Sequence, residues 1–548
     1  MRARWEVILL SLAILTVQSA CQHVSHSLAS PPSHSAVVVV LDGFRPDYVS
    51  RENTPNIFAI AQEGVVCTNH HAAFPSVTRV NSATIATGCY PGRHGLLGNT
   101  IYFPEIDPAK GLSAANAKNL MDIEKTTGGH LLTIPSLGER LQAAGKKIFV
   151  ASSGSGGSAT LVNHKYLGGG VANVDVIEPA SLRGLVTSKI GPVPAEAAPN
   201  IAQNRWAVDA YLKVALPEIA PDLSIIWLSD PDHTAHGAGI GAPKTMDSIK
   251  TVDAEVGRIA KALRDRDTDL FIMSDHGFST YTGGSSLTET LVSANLKESK
   301  DSEDVVIVGG AIYVRKDGYT RPDEGPQPHP AEAVQDNVQP GPGDLIDIDR
   351  KPLPGEVVVK VVDKQSHIID IVRALQSDPK MGAIFTRAAA PGSPFGIAPG
   401  TLSLELIHVD HDRAPDNLVS EAWTDAKNEF GYPGATADSG TAGHGSSSPY
   451  DIHATLIATG PHIRNGAVSD LPTGQIDLAP TLCHLLGITP AEGMDGRVLT
   501  ELFPNSTDAP KAVQTTQRTS TPGGAYKLEA TITTVGATQY LDQAKAIR

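Results

Sequence analysis

At 548 residues, with 41% hydrophobic content, 51 Gly and 39 Pro, the chain is too apolar for wholesale disorder and long enough for one large α/β domain with insertions, or for two domains. Lys+Arg 44 against Asp+Glu 59 gives a formal net charge of -15, and no long basic stretch accompanies it. Stable duplex nucleic-acid binding is therefore not expected, although a nucleotide remains admissible as a small substrate.

The chain opens Met1-Arg2-Ala3-Arg4, runs through an apolar stretch from Val7 to Val17 and reaches Ser19-Ala20-Cys21. A basic start, a short apolar region and a small-residue cleavage site read as an export signal over 1–20, too short for a membrane span. The expected location is outside the cytoplasm, in a bacterial periplasm. Cys21 after Ser19-Ala20 is similar to a lipoprotein acceptor and would give a membrane tether, but Gln18 stands where that pattern prefers an aliphatic residue. Residues 21–36, rich in Ser, His and Pro, read as a linking tether.

Val37 to Leu41 is a β-branched run closed by the turn chemistry of Asp42-Gly43-Phe44-Arg45-Pro46-Asp47. Ile57 to Ala61 reads as helix and Val65-Val66-Cys67 as a short strand. Phe74-Pro75-Ser76-Val77-Thr78 is a loop entering a helix that stops at Gly88, which places Thr78 near unpaired helix N–H groups. Cys67 and Cys89 bracket this loop, and either a disulfide or two buried thiols fits them.

The alternation continues with a helix over 134–144, a strand over 147–151, a flexible turn over 152–157, and a helix from Arg205 that stops before Pro217. A strand over 223–228 ends at Ser229-Asp230-Pro231-Asp232. A helix over 246–263 then leads to a strand over 270–273 that ends at Asp275-His276-Gly277. Repeated strand, loop and helix units predict an α/β fold with a mostly parallel sheet flanked by helices. Asp42, Asp232 and the Asp275-His276 pair then all follow carboxyl ends of strands, the edge where open α/β sheets gather their ligands.

From about 280 to 440 the pattern changes to short strands among Gly/Pro-rich stretches, read as an inserted cap or subdomain with antiparallel elements. The main sheet resumes at 453–460, followed by a capped helix over 477–487. Residues 504–520 read as linker-like, and Tyr526 to Val535 as a terminal strand or hairpin.

Asp232 and His236 stand four apart, so one helical face brings both to one ion. Asp275-His276 adds adjacent ligands, and Gly443-His444-Gly445 presents an imidazole in a permissive loop. Carboxylate oxygen and neutral imidazole nitrogen are the ligand set of zinc in hydrolytic sites. Singly, each of these residues is as well explained as a cap or surface group. Thr78 alone would read as an N-cap, and Asn99 as support for the turn after Gly98.

Taken together, Asp42-Gly43, Phe74 to Thr78, Ala86 to Gly95, Gly98-Asn99, Asp232 to His236, Ser274 to Gly277 and His444-Gly445 resemble the nucleotide pyrophosphatase/phosphodiesterase branch of the alkaline phosphatase superfamily. The resemblance spans roughly 37–500, with the middle insertion poorly matched. It implies an alkaline-phosphatase-like fold and two Zn2+ ions. Asp232, His236 and His444 would hold one ion, and Asp42, Asp275 and His276 the other alongside Thr78. It implies that Thr78 attacks phosphorus to form a phosphothreonine, and that Asn99 donates to a non-bridging phosphoryl oxygen. The corresponding division is 37–280 and 441–503 for the two parts of the catalytic core, 281–440 for the insertion and 504–548 for a linker and C-terminal extension.

The chain departs from the family pattern at Arg79, where an apolar residue is usual. Arg79 is a candidate substrate-binding residue for extra phosphate charge and motivates a phosphomonoesterase alternative. A non-catalytic carbohydrate- or phospholipid-binding surface protein is the alternative from another class. His94 is expected to be structural and His233 to orient its loop or face solvent. His408, Asp410 and His411 do not specify a third metal cluster.

Overall fold

A computed structural model of the chain describes residues 34–315, 319–322, 359–488, 493–504 and 510–548. The export signal, Cys21 and most of the tether lie outside these residues.

The strand expected at Val37 forms as Ser35–Leu41 and is buried on both faces. Val37, Val39 and Leu41 pack into one apolar layer and Ala36, Val38 and Val40 into the other, so its unbroken apolar run serves two helical layers rather than one. With each fully buried valine contributing about 1.5–3 kcal/mol, this strand is a principal anchor of the core.

Ten strands make the central sheet, numbered here in chain order: β1 Ser35–Leu41, β2 Val65–His71, β3 Ile148–Ser152, β4 Gly170–Asn173, β5 Ile177–Glu178, β6 Leu223–Leu228, β7 Thr268–Met273, β8 His453–Thr459, β9 Ala467–Ser469 and β10 Thr473–Gly474. Their spatial order is β9-β2-β8-β7-β1-β6-β3-β4-β5, with β10 also pairing β2. Strands β7, β1, β6, β3 and β4 run parallel. The strand β8 lies antiparallel between β7 and β2, and β5 returns antiparallel on β4. The expected mostly parallel α/β sheet is thus present, with one reversed strand in its interior.

Outside this sheet, Val305–Val308, Ala311–Val314, Asn417–Glu421, Met381–Thr386 and Leu402–Ser403 form a separate five-stranded sheet. Helix Lys364–Gln376 packs against it through Ile368, Ile371, Val372 and Leu375.

Several local expectations are corrected. The helix begun at Ile201 does not stop before Pro217: it passes at Tyr211 into a π-helical stretch ending at Ile219, which accommodates the proline inside it. The expected flexible turn over 152–157 yields to a helix at Gly156, capped by the Ser155 side chain. Ala512–Ser520, within the stretch read as linker-like, is the first strand of a three-stranded antiparallel sheet completed by Lys527–Val535 and Thr538–Ile547. Its polar, exposed face disguised it as linker, because period-2 burial is visible only in its partners. Cys67, Cys89 and Cys483 are buried free thiols, so the disulfide alternative for Cys67 and Cys89 is not adopted.

Candidate active site

The carboxyl ends of β1, β6 and β7 are stitched together before any ligand is considered. Asp42 N–H donates to Leu228 O at 3.0 Å, and Asp232 N–H donates to Asp42 O at 3.0 Å. The Gly43 N–H reaches Asp275 Oδ1 at 3.2 Å, and Phe44 N–H reaches Ser274 Oγ at 2.8 Å. Gly43 takes φ 65°, and a Cβ there would stand 2.9 Å from the Phe278 ring and 3.0 Å from Asp232 Cβ, so the turn requires glycine.

The loop carrying Thr78 is tied to the loop carrying His444. Ser76 Oγ donates to Ser446 O at 2.8 Å, and His444 Nδ1 lies 2.9 Å from Ser76 O. Helix Thr78–Thr87 begins on Thr78 itself, with Val77 as N-cap, so Thr78 is not the capping residue. Its buried hydroxyl instead lies 3.2 Å from His276 Nε2. At the same helix start, the Arg79 N–H donates to Asn99 Oδ1 at 3.0 Å, which fixes Asn99 as an acceptor toward the helix and turns its NH2 group to other partners. The Arg79 backbone thus holds Asn99, while the Nε of its side chain is buried without a hydrogen-bond partner.

Around Thr78 two clusters of carboxylates and imidazoles converge, each of a kind that could hold a metal ion. Asp42 Oδ1 and Asp275 Oδ2 lie 3.4 and 3.2 Å from His276 Nε2, all three residues being buried. Beside them, His236 Nε2 and His444 Nε2 lie 3.2 and 3.3 Å from Asp232 Oδ1. The rings of His276 and His444 stack with centroids 3.5 Å apart, so the two sets adjoin.

The histidine tautomers bear on what these side chains could hold. The Nδ1 atoms of His236, His276 and His444 lie 3.0, 2.9 and 2.9 Å from the carbonyl oxygens of Ala442, Gly277 and Ser76. A carbonyl only accepts, so each Nδ1 carries a proton, and in the neutral ring, the form that ligates a metal, each Nε2 turns a bare lone pair toward a carboxylate. Asp42 Oδ1, Asp232 Oδ1 and Asp275 Oδ2 are buried and without hydrogen-bond partners. Lone pairs facing lone pairs at these distances fit a cation between them.

The crowding of carboxylates and imidazoles shifts their titration. Burial, together with the carboxylates of Asp275 and Asp232, pushes Asp42 up to about 7. Burial opposes ionisation of Asp232 as well, but His236 and His444 hold it well below the usual carboxylate range. His276 is raised despite burial by Asp275 and Asp42, whereas burial and neighbouring His276 lower His444 to about 4.

A cavity of about 510 Å³ opens onto this centre, lined by Phe74, Val77, Asn99 and His444 on the core side and by Ile307, Tyr313, Leu418 and Glu421 from the five-stranded sheet and its loops. Asp438 and Arg413 also reach its wall. The guanidinium of Arg413 is engaged by the carbonyls of Gly95, Leu131 and His130.

Other candidates fall elsewhere. His94 is fully buried, 3.1 Å from Thr84 Oγ1, and accepts from Leu96 N–H. His233 faces Glu196 at 3.4 Å. The group His408, Asp410 and His411 disperses: His408 stacks on Tyr90, Asp410 pairs with Arg387, and His411 lies against Thr133. Two supporting residues went unnoticed in the sequence. Trp227, read only as a strand residue, donates from Nε1 to Asp42 Oδ2 at 2.9 Å. Gln475 Nε2 donates to the backbone oxygens of Ser274 and Asp275.

The sequence profile of the type I phosphodiesterase / nucleotide pyrophosphatase family matches residues 36–386. A venom phosphodiesterase of Naja atra is 25% identical over 248 residues, covering 44% of this chain and 26% of that protein. The ectonucleotide pyrophosphatase/phosphodiesterase family member 1 of Rattus norvegicus is 24% identical over 275 residues, covering 48% of this chain and 26% of that protein. The matched stretch thus spans about a quarter of either relative. Among solved structures, murine ectonucleotide pyrophosphatase/phosphodiesterase 5, as an inactive threonine-to-alanine variant in complex with AMP, shares the fold with a TM-score of 0.53 at 18% identity, covering 84% of this chain and 96% of that one. With the family profile matching well over half of its length, the chain belongs to the type I phosphodiesterase / nucleotide pyrophosphatase family.

Proposed function

We propose that this protein hydrolyses phosphodiesters or nucleotide pyrophosphates with two zinc ions and Thr78 as nucleophile. The carrying observation is the pair of adjoining ligand sets whose imidazole lone pairs and carboxylate oxygens face one another around the Thr78 hydroxyl. Asp42, Asp275 and His276, with Thr78, would hold one ion; Asp232, His236 and His444 would hold the other. When bound, such a pair supplies Lewis acidity that favours the threonine alkoxide and neutralises charge on the departing oxygen.

The chain's own groups do the rest. Thr78 Oγ gives up its proton to solvent and forms a bond to phosphorus as the bond to the leaving oxygen breaks, giving a phosphothreonine, and the departing oxygen takes a proton from solvent to leave as an alcohol or nucleotide. Water then cleaves the phosphothreonine from the opposite side, so two in-line displacements give net retention at phosphorus. The Asn99 amide, held by the Arg79 N–H, donates to a non-bridging phosphoryl oxygen and stabilises charge that grows in the transition state. The cavity beyond receives the leaving group.

The cavity wall favours a diester over a monoester. It includes Glu421 and Asp438, while Arg413 is occupied by backbone carbonyls, so among the described wall residues a second full charge on phosphate meets no free cation. The threonine-to-alanine form of the AMP-bound mouse relative is inactive, in keeping with a threonine nucleophile. The basic, apolar and small-residue pattern at the start of the chain supports export to a periplasm, with Cys21 as a lipid attachment point.

Thr78→Ala tests the reading. Turnover of bis(4-nitrophenyl) phosphate should fall by about 10³-fold or more while zinc content is retained. Undiminished turnover would remove Thr78 as nucleophile. Faster turnover of 4-nitrophenyl phosphate by the unaltered protein would reassign it as a phosphomonoesterase.

A further inference from the structure

The opposite edge of the sheet holds a second histidine and carboxylate cluster that the reaction does not use. His34 immediately precedes β1, Asp269 is the second residue of β7, and His462 follows the end of β8 by three residues. These three strands are neighbours, so the amino ends of β1 and β7 and the carboxyl end of β8 bring the side chains together. The seven residues of β1 place this cluster roughly 20 Å from Asp42.

We propose that His34, Asp269 and His462 bind a divalent transition-metal ion of the zinc type, separate from the catalytic pair. The spacing of the side chains suits such an ion. Ligand atoms held tetrahedrally at ~2.0–2.1 Å from one ion stand ~3.3–3.4 Å apart. His34 Nε2 and His462 Nδ1 lie 3.3 and 3.4 Å from Asp269 Oδ2. The two ligand sets around Thr78 show the same separations, 3.2–3.4 Å. A third cluster supplies the contrast: His71 Nε2 lies only 2.9 Å from Asp542 Oδ1, whose other oxygen accepts from Gln514 and Thr533, an ordinary hydrogen-bonded pair. A protonated histidine paired with Asp269 would close to ~2.7–2.9 Å in the same way.

Buried polar atoms in the cluster also lack partners. Asp269 is fully buried, its Oδ1 accepts from the His462 N–H at 3.1 Å, and its Oδ2, facing both rings, has no hydrogen-bond partner. Both ring nitrogens of His34 are likewise buried without one. Asp267 Oδ1 stands 3.8 Å from His34 Nδ1 and from His462 Nε2, the ring nitrogens turned away from Asp269. A carboxylate behind the imidazoles favours protons on those outer nitrogens and leaves the inner pair bare for the ion, an arrangement common around protein-bound zinc. The ion would pin the residue at which the tether enters β1 to both neighbouring strands, and a water would complete four-coordination.

The full chain is saturated with zinc, freed of excess and assayed for metal by atomic emission beside the double variant His34→Gln/His462→Gln. The variant should hold one ion fewer per chain, with diesterase turnover within about twofold of the unaltered protein. In crystals of the unaltered protein, a zinc-edge anomalous peak should lie among His34, Asp269 and His462. Equal metal content in the two proteins overturns the proposal, and should the variant not fold, absence of that peak does so alone. Because the readout is a difference at residues remote from Thr78, it is independent of whether the catalytic reading holds.

Discussion

The indole Nε1 of Trp227 donates to Asp42 Oδ2 at 2.9 Å, and this leaves Oδ1 as the oxygen that faces His276 Nε2. Trp227 and Val40 are register partners on parallel neighbours β6 and β1, so the sheet itself sets the aim of the Asp42 carboxylate two residues beyond. Trp227→Phe keeps most of the buried volume but removes the donor. Losing a hydrogen bond behind a metal ligand typically costs 10–100-fold in affinity. Zinc affinity measured by chelator competition should fall by about that factor, and an unchanged affinity would show that Asp42 is oriented without the indole.

Asn99 is fixed from the helix side by the Arg79 N–H and faces the cavity from its wall. Asn99→Ala should lower kcat for a diester by about 10²–10³-fold, the usual effect of removing one preorganised donor to developing charge. Zinc content should not change. Steady-state kinetics beside metal analysis separate the two effects, and a kcat within about twofold would exclude the donor role.

Gly43 sits at φ 65° against Phe278 and Asp232. Gly43→Ala combines a left-handed backbone with a clash that must displace the Phe278 ring or the Asp232 main chain. The expected loss is about 1–3 kcal/mol in the chelator-treated protein, with weakened metal binding in addition. Denaturant melts with and without zinc measure both. An unaltered midpoint in chelator would mean that the turn relaxes freely.

His94 supplies a pH prediction away from the proposed metal ligands. Burial, reinforced by the neighbouring charges of His411 and Arg413, lowers it to about 3. Its folded value lies below its unfolded value of about 6.5, so the unfolded chain binds the extra proton first. The associated stability is complete above pH 6.5 and is lost as pH falls from there to about 3, at up to ~1.4 kcal/mol per pH unit. In chelator-treated protein, His94→Gln should flatten the decline of the urea midpoint over that window. An identical slope would show that His94 does not remain neutral in the fold.

Much of the architecture was legible because its signals are local. A β-branched run ending in Asp42-Gly43, an apolar run ending before Asp232 and another before Asp275-His276 each announce a buried strand whose carboxyl end carries a ligand-type residue, and strand and helix alternation supplies the parallel sheet. Val305–Val308 and Ala311–Val314 were legible as strands as well, whereas Met381–Thr386, Asn417–Glu421 and the exposed strand Ala512–Ser520 escaped because their burial depends on partners distant in the chain. So did the reversed direction of β8, since an apolar run looks the same in either orientation.

What the chain alone determined was the inventory: strand-end acids, a hydroxyl at a helix start, and histidines in permissive loops. Folding decided which nitrogen of each histidine is bare, which oxygen of each carboxylate is left unpaired, and that His34 and His462, 428 positions apart by number, share Asp269. Tautomer and oxygen choice are set by backbone carbonyls and neighbouring donors brought in from other segments, such as Ser76, Ala442 and Trp227. Those contacts exist only once the sheet has closed.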